Sequence, residues 1–289
     1  MPDNDLTNHD WPPIPYADWQ TTATALHLYS QIAGKYRLAH SAWVNHSWHA
    51  TLYVTPHGLT TSLITDGEGG IEICFDFVDH VVVGHCGSGQ SASFALRPMA
   101  VADFHNQFVE MISALGGDPS FHGQPNEVPE PVPFVEDESP RPYDADAVSR
   151  FHRALISINH VFQDFRTGCR GKVSPVHLFW GSFDLAVTRF SGRSAPEHPG
   201  GIPNLPDEVT REAYSHEVSS AGFWPGGGPI DEPAFYSYAY PQPEGFADAV
   251  VTPDAAYFDK DFGEFILPYE AVRQSADPAA TLHGFLLST

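Results

Sequence analysis

Basic residues are scarce in this 289-residue chain: 14 Lys and Arg stand against 36 Asp and Glu, a formal charge of −22. Nucleic acids and anionic membranes are held chiefly by Lys and Arg that neutralise phosphates, so the balance argues against both as partners. Cysteine is scarce as well. Cys74, Cys86 and Cys169 form no CxxC pair, and an odd number does not build a disulfide framework. No apolar run approaches the roughly 18 residues of a membrane helix. The opening segment, MPDNDLTNHDWPP, is polar and acidic and lacks the apolar centre of a secretory signal. These absences read as a reduced, cytoplasmic protein. The phosphate loop GxxxxGK[ST], the HExxH pair and the GxSxG elbow are missing too, so no short motif fixes a reaction.

Proline and histidine are plentiful. Six prolines and five acidic residues crowd into PNEVPEPVPFVEDESPRP, residues 125–142. Proline density of this kind gives a stiff, extended linker. It divides the chain into 1–124, a Pro/acid-rich linker at 125–144, and 145–289.

The two parts have a similar order of elements. In the first, helical spacing covers 19–39, with Leu26, Leu28, Ile32, Ala33 and Tyr36 recurring. Strand-like runs follow at 49–55, 59–64, 71–77 and 93–98, then a helix at about 101–115. In the second, a helix at 145–167 places Phe151, Leu155, Ile158 and Phe162 on one face. Strand-like runs follow at 176–180, 184–190, 234–240 and 264–268, then a helix near 269–287. Antiparallel sheets commonly carry their helices on one face. The expectation is an α+β fold: two similar helix–antiparallel strands–helix halves, a suspected internal duplication, packed side by side with a cleft between them.

Residues 191–232 stand out as a long insertion that gathers His, Glu, Arg, Trp and Gly between strands. Long loops on a rigid sheet are where function concentrates. Alternation in WHATLYV and VHLFW puts His49 and His177 on the same side of equivalent strands. Histidine is the natural acid–base group near neutrality and the commonest metal ligand. His177, His216 and Glu217 are therefore the candidate catalytic residues. With His198, the same three are suitable in type for a divalent transition metal, Zn or Fe, although their spacing matches no known pattern. His46 and His49 form a second candidate cluster.

Eight of the fourteen basic residues fall between Arg150 and Arg211, against five acids. Guanidinium forks suit carboxylate and phosphate, so Arg189 and Arg193 are candidates to orient an anionic or polar substrate. Trp180, Trp224 and Tyr238 suit the wall of a small-molecule pocket.

The runs WPPIPYADWQTT, NHSWHATLYVTPHGLTTS, FDFVDH, SPVHLFWGSFDLAVTRFSGR, HPGG, EAYSHEVSSAGFWPGGG and EPAFYSYAYP resemble a bacterial family called domain of unknown function 5996. The resemblance spans nearly the whole chain. It implies no activity, substrate or site residue.

The leading expectation is a small-molecule enzyme of unknown reaction, its site at the junction of the halves under the 191–232 insertion. The alternative is a non-catalytic binding or sensor protein with an aromatic pocket. An interaction surface on the acidic linker ranks third. A small-molecule ligand is the expected partner in the first two.

Overall fold

A computed structural model describes residues 10–228 and 230–289. The first nine residues of the acidic N-terminal segment, and Pro229 within 191–232, lie outside the described residues.

The chain is an α+β protein with two antiparallel sheets. Helix α1 (Tyr16–His40) is buried on every side over most of its length. Its enclosed residues include the polar Gln31, Lys35 and Arg37 as well as apolar side chains, and α1 meets both later long helices, α2 and α3. The first sheet is a meander of β1 (Tyr53–Thr55), β2 (Gly58–Thr60), β3 (Ile71–Asp76), β4 (Val81–Cys86) and β5 (Ser91–Ala95), paired in chain order. Ile71, Ile73 and Phe75 alternate inward along β3, and Phe75 stacks 6.1 Å from Phe104 of helix α2 (Val101–Ala114). Each such side chain contributes roughly 1.5–3 kcal/mol by burial.

The second part starts with α3 (Ala145–Thr167), capped by the Asp144 carboxylate, which accepts from the Ala147 N–H at 2.9 Å. Its strands are β6 (His177–Phe179), β7 (Asp184–Ser194), β8 (His216–Trp224), β9 (Ala234–Tyr240), β10 (Tyr257–Asp259) and β11 (Glu264–Pro268). They run in the order β6-β7-β8-β9-β11-β10. A short helix, α4 (Asp207–Ala213), lies between β7 and β8. The end of the chain, read as one helix, is two: α5 (Tyr269–Arg273) and α6 (Pro278–Ser288). Asp277 and Pro278 divide them, because Asp277 accepts from the Ala280 N–H at 3.0 Å and starts a new helix.

The two sheets touch at Leu52 and Leu178. These residues exchange both backbone hydrogen bonds, at 2.9 and 2.8 Å, in an isolated antiparallel bridge. The expected placing of His49 and His177 on the same side of equivalent strands is corrected, because only His177 is in a strand. Counting outward from the bridge, Tyr53 stands opposite His177, while His49 lies in a turn before β1.

Two further segments differ from the reading of the sequence. Residues 125–144 are folded onto the body instead of extending as a spacer. Phe134 is fully buried, the Asn126 N–H donates to Gln31 Oε1 at 2.8 Å, and the Ala102 N–H donates to the Asp137 carbonyl at 3.0 Å. One large aromatic side chain anchors what proline and charge alone would leave in water. The 191–232 stretch is not an irregular insertion throughout. β7 continues to Ser194, and β8 within it is paired on both sides, by β7 and β9. Its Ser219-Ser220-Ala221-Gly222 run looks like a loop by composition. In a central strand, however, small residues leave room for large neighbours on the same face. In β4 Gly84 and His85 follow the valines and mask the strand pattern in the sequence.

Candidate functional site

A cavity of about 640 Å³ lies over one face of the second sheet and is lined by residues of both parts of the chain. Ala186 and Thr188 of β7, Ser220 of β8, and Tyr236 and Tyr238 of β9 form its floor. Ile202, Leu205 and Val209, in and before α4, form its roof. Trp43, His46 and Trp48 bound one side, and Pro125–Glu127 another. Its size suits a small organic ligand, for which pockets run roughly 300–1,000 Å³.

The floor is built by one close approach. Gly222 is the cross-strand partner of Tyr236. A Cβ on Gly222 would stand 2.3 Å from the Tyr236 hydroxyl oxygen, so only glycine lets the ring lie across β8. The Tyr236 hydroxyl then donates to Asp184, as does the Ser182 hydroxyl. Beside them the Tyr214 and Tyr238 hydroxyls meet at 2.8 Å, and those of Thr188 and Ser220 at 2.9 Å. Burial raises the phenols, Tyr214 to about 12 and Tyr236 and Tyr238 well above their usual value. They act as neutral hydrogen-bonding groups.

Three carboxyl groups share this chamber: Glu127, Asp184 and Glu264. Burial pushes all three upward. Glu127 rises to about 7 and Glu264 to about 8, each first by desolvation and then by the nearby Asp184 charge. They titrate as a coupled set. None of the three belongs to an ion pair between described residues. Glu264 Oε2 is buried without a hydrogen-bond partner. Glu127 is also held at φ +56, in the left-handed region that costs a non-glycine residue about 1 kcal/mol or more.

Three basic groups line the same space, the exposed His122 at its edge and Lys35 and His46, both of them engaged. Lys35 donates to Asn126 Oδ1, sits 5.4 Å from the centroid of the Trp180 ring, and is lowered by burial to about 8. His46 has its Nδ1 3.0 Å from the Ala213 carbonyl, which places the proton on Nδ1. Its Nε2 then accepts from Lys172 Nζ at 2.6 Å. Burial holds His46 below its usual value, and the Lys172 charge adds to that. His46 is a pin between the 45–49 turn and α4, reinforced where its N–H donates to Glu212 Oε2 at 2.6 Å.

Of the residues singled out from sequence, Trp180, Trp224, Tyr238 and His46 line the cavity. The proposed catalytic and metal set is not brought together, which corrects that expectation. His177 is wholly enclosed, its ring nitrogens unpartnered among the described residues, and burial lowers it to about 3. Its neighbours are aromatic: Phe179 at 4.6 Å and Trp48 and Tyr53 at 6.4 Å. His216 stands at the start of β8 beside Ser215, with its Nδ1 3.1 Å from the hydroxyl. Glu217 pairs with Arg193 and accepts from Ser191 at 2.7 Å. His198 stacks on Tyr214 at 4.8 Å. None of these four lines the cavity. Among the described residues, no group of three or more His, Cys, Asp or Glu side chains is arranged to hold a metal ion.

The two arginines are also placed elsewhere. Arg193 is largely exposed in its pair with Glu217, and Arg189 stacks 4.1 Å from Phe165 while donating to Ser219 at 3.0 Å. His49 lines a smaller, separate pocket, where its Nδ1 lies 3.1 Å from the Val44 carbonyl.

The three carboxyls were missed. Asp184 and Glu264 had a readable signal, since each opens an apolar strand, DLAVTRF and EFILP, where a charge must enter the core. Glu127 had none, because it is one acid among several in a proline-rich run.

The model of a family of unknown function, domain of unknown function 5996, matches residues 11–289, and the chain belongs to that family. No match was found among curated proteins or among solved structures. No helix among the described residues is long and apolar enough to cross a membrane.

Proposed function

We propose that the protein takes a small polar or cationic organic molecule into the cavity over the second sheet and moves a proton on it, with Glu127 and Glu264 as the acid–base groups. The observation that carries this reading is a set of three desolvated carboxyls on one cavity, Asp184 buried and Glu127 and Glu264 half-buried, none paired with a cation among the described residues. A general acid or base works best when its pKa lies near the working pH, and Glu127 at about 7 is placed so. Asp184, held by Tyr236 and Ser182, acts as a fixed neighbour that adds to desolvation in raising the two glutamates. An anionic substrate fits poorly, because Lys35 is tied to Asn126 and no arginine lines the chamber. The helix–antiparallel sheet–helix order shared by both parts favours descent from a duplicated unit, with the second sheet departing from a simple meander where β11 lies between β9 and β10.

A second reading is non-catalytic binding. It is favoured by the aromatic wall, in which Trp224 lies 4.6 Å from Tyr236. A thermal-shift screen of small amines and polyols against wild type and Trp224→Ala separates the possibilities. Hits are then followed by proton NMR in D2O. Proton transfer predicts that wild type converts or deuterates some hits, and that Glu127→Gln binds them without doing so. Hits bound and left unchanged support the binding reading. Hits that bind equally well to Trp224→Ala overturn the cavity as the site.

A further inference from the structure

Arg37, on α1, is 7 % exposed, yet it lines a second pocket of about 360 Å³. Its Nε and Nη1 have no acceptor among the described residues. None of the ion pairs between described residues involves it. Its close company is aromatic and hydroxylic: the Tyr53 ring centroid lies 5.2 Å from the guanidinium carbon, and Ser41 and Thr65 line the same pocket. Thr65 already donates to the His40 carbonyl at 2.8 Å. Arg166 is of the same sign and, like Arg37, acts on the enclosed His177, and His49 is held neutral by burial. Glu212 is the acid whose charge reaches this region, where it is felt at His49, and it is occupied by the His46 N–H.

A buried guanidinium without a counter-charge is expensive, by several kcal/mol even after relaxation. Among the described residues of this acidic chain, no carboxylate is placed at this guanidinium. A guanidinium fork matches the oxygens of carboxylate or phosphate, and a desolvated one binds them more strongly than a wet one.

We propose that the pocket bounded by Arg37, Ser41, His49, Tyr53 and Leu63 is an oxyanion site, in which the Arg37 guanidinium and the Ser41 hydroxyl receive a carboxylate or phosphate group. It is separate from the chamber that holds the three carboxyls and has the opposite polarity. Trp48 lines both.

The test titrates the full chain with inorganic phosphate and, separately, with acetate, at constant ionic strength set by chloride, by calorimetry. At least one of the two saturates the protein with a Kd in the millimolar range or tighter, and the arm that does so identifies the group. Arg37→Met abolishes the saturation. Because Arg37 is buried, a second variant guards against misfolding. Leu63 is 65 % exposed on the pocket rim, so Leu63→Glu folds normally and weakens the binding about fivefold through an added like charge. Absence of saturable binding by both ions overturns the proposal. So does binding that Leu63→Glu leaves unchanged.

Discussion

Trp180 lies against the backbone of Gly34: a Cβ built on that glycine would stand 2.2 Å from the indole Cδ1. This contact sets α1 against the chain leaving β6 and fixes one wall of the larger cavity, with the indole N–H donating to the Ala50 carbonyl at 2.6 Å.

Gly34→Ala therefore tests the packing directly. In an exposed helix the change would stabilise by about 1 kcal/mol. Here the methyl displaces the indole, and overpacking of this kind costs roughly 1–3 kcal/mol. Urea unfolding followed by tryptophan emission should show a lower midpoint and an altered native spectrum. A higher midpoint would mean that the indole does not sit on this backbone.

The raised carboxyls give a pH dependence with a definite sign. Below about pH 4.5 Glu127 and Glu264 are protonated in both folded and unfolded chains. Above it the unfolded chain ionises freely, while the folded one resists until about pH 7 for Glu127 and about 8 for Glu264. Their contribution thus falls as pH climbs through that window. Glu127→Gln and Glu264→Gln cannot ionise, so each should gain stability over wild type between pH 4.5 and 8, by on the order of a few kcal/mol. Denaturant midpoints at pH 5, 6.5 and 8 measure the gain. A constant difference across the series would show that these groups are not desolvated in the fold.

His177 has the opposite sign. The unfolded chain binds its proton below about pH 6.5, and the folded chain not until about 3, so stability is lost as pH falls through that interval. Its two ring nitrogens have no partners among the described residues, so an apolar replacement of similar volume leaves nothing unsatisfied. His177→Leu should match or exceed wild type at pH 7.5 and exceed it by more, roughly 1–3 kcal/mol, at pH 5. It should also leave ligand binding in the larger cavity intact. Loss of that binding without loss of fold would return His177 to the functional site.

The α+β class was legible in the sequence because its helices and most strands keep their periodicities. The Phe151, Leu155, Ile158 and Phe162 face of α3 and the alternation of β3 are the plainest cases. β8 was not legible, since Ser219, Ser220 and Gly222 carry turn propensity and only their neighbours across the sheet make them strand. The site was half legible. Trp180, Trp224 and Tyr238 stand out by size. Histidine count pointed away from the carboxyls, because a local pattern cannot tell a histidine enclosed among aromatics from one facing a chamber.

Glu127 belongs to the segment that joins the first part of the chain to the second. Neither part, produced alone, would present a finished chamber: one would lack the floor, the other the Lys35 and Trp48 sides. Ligand uptake is thus a readout of docking between the parts. A break in the connection near residue 124 should leave each sheet capable of forming while abolishing uptake until the pieces are recombined.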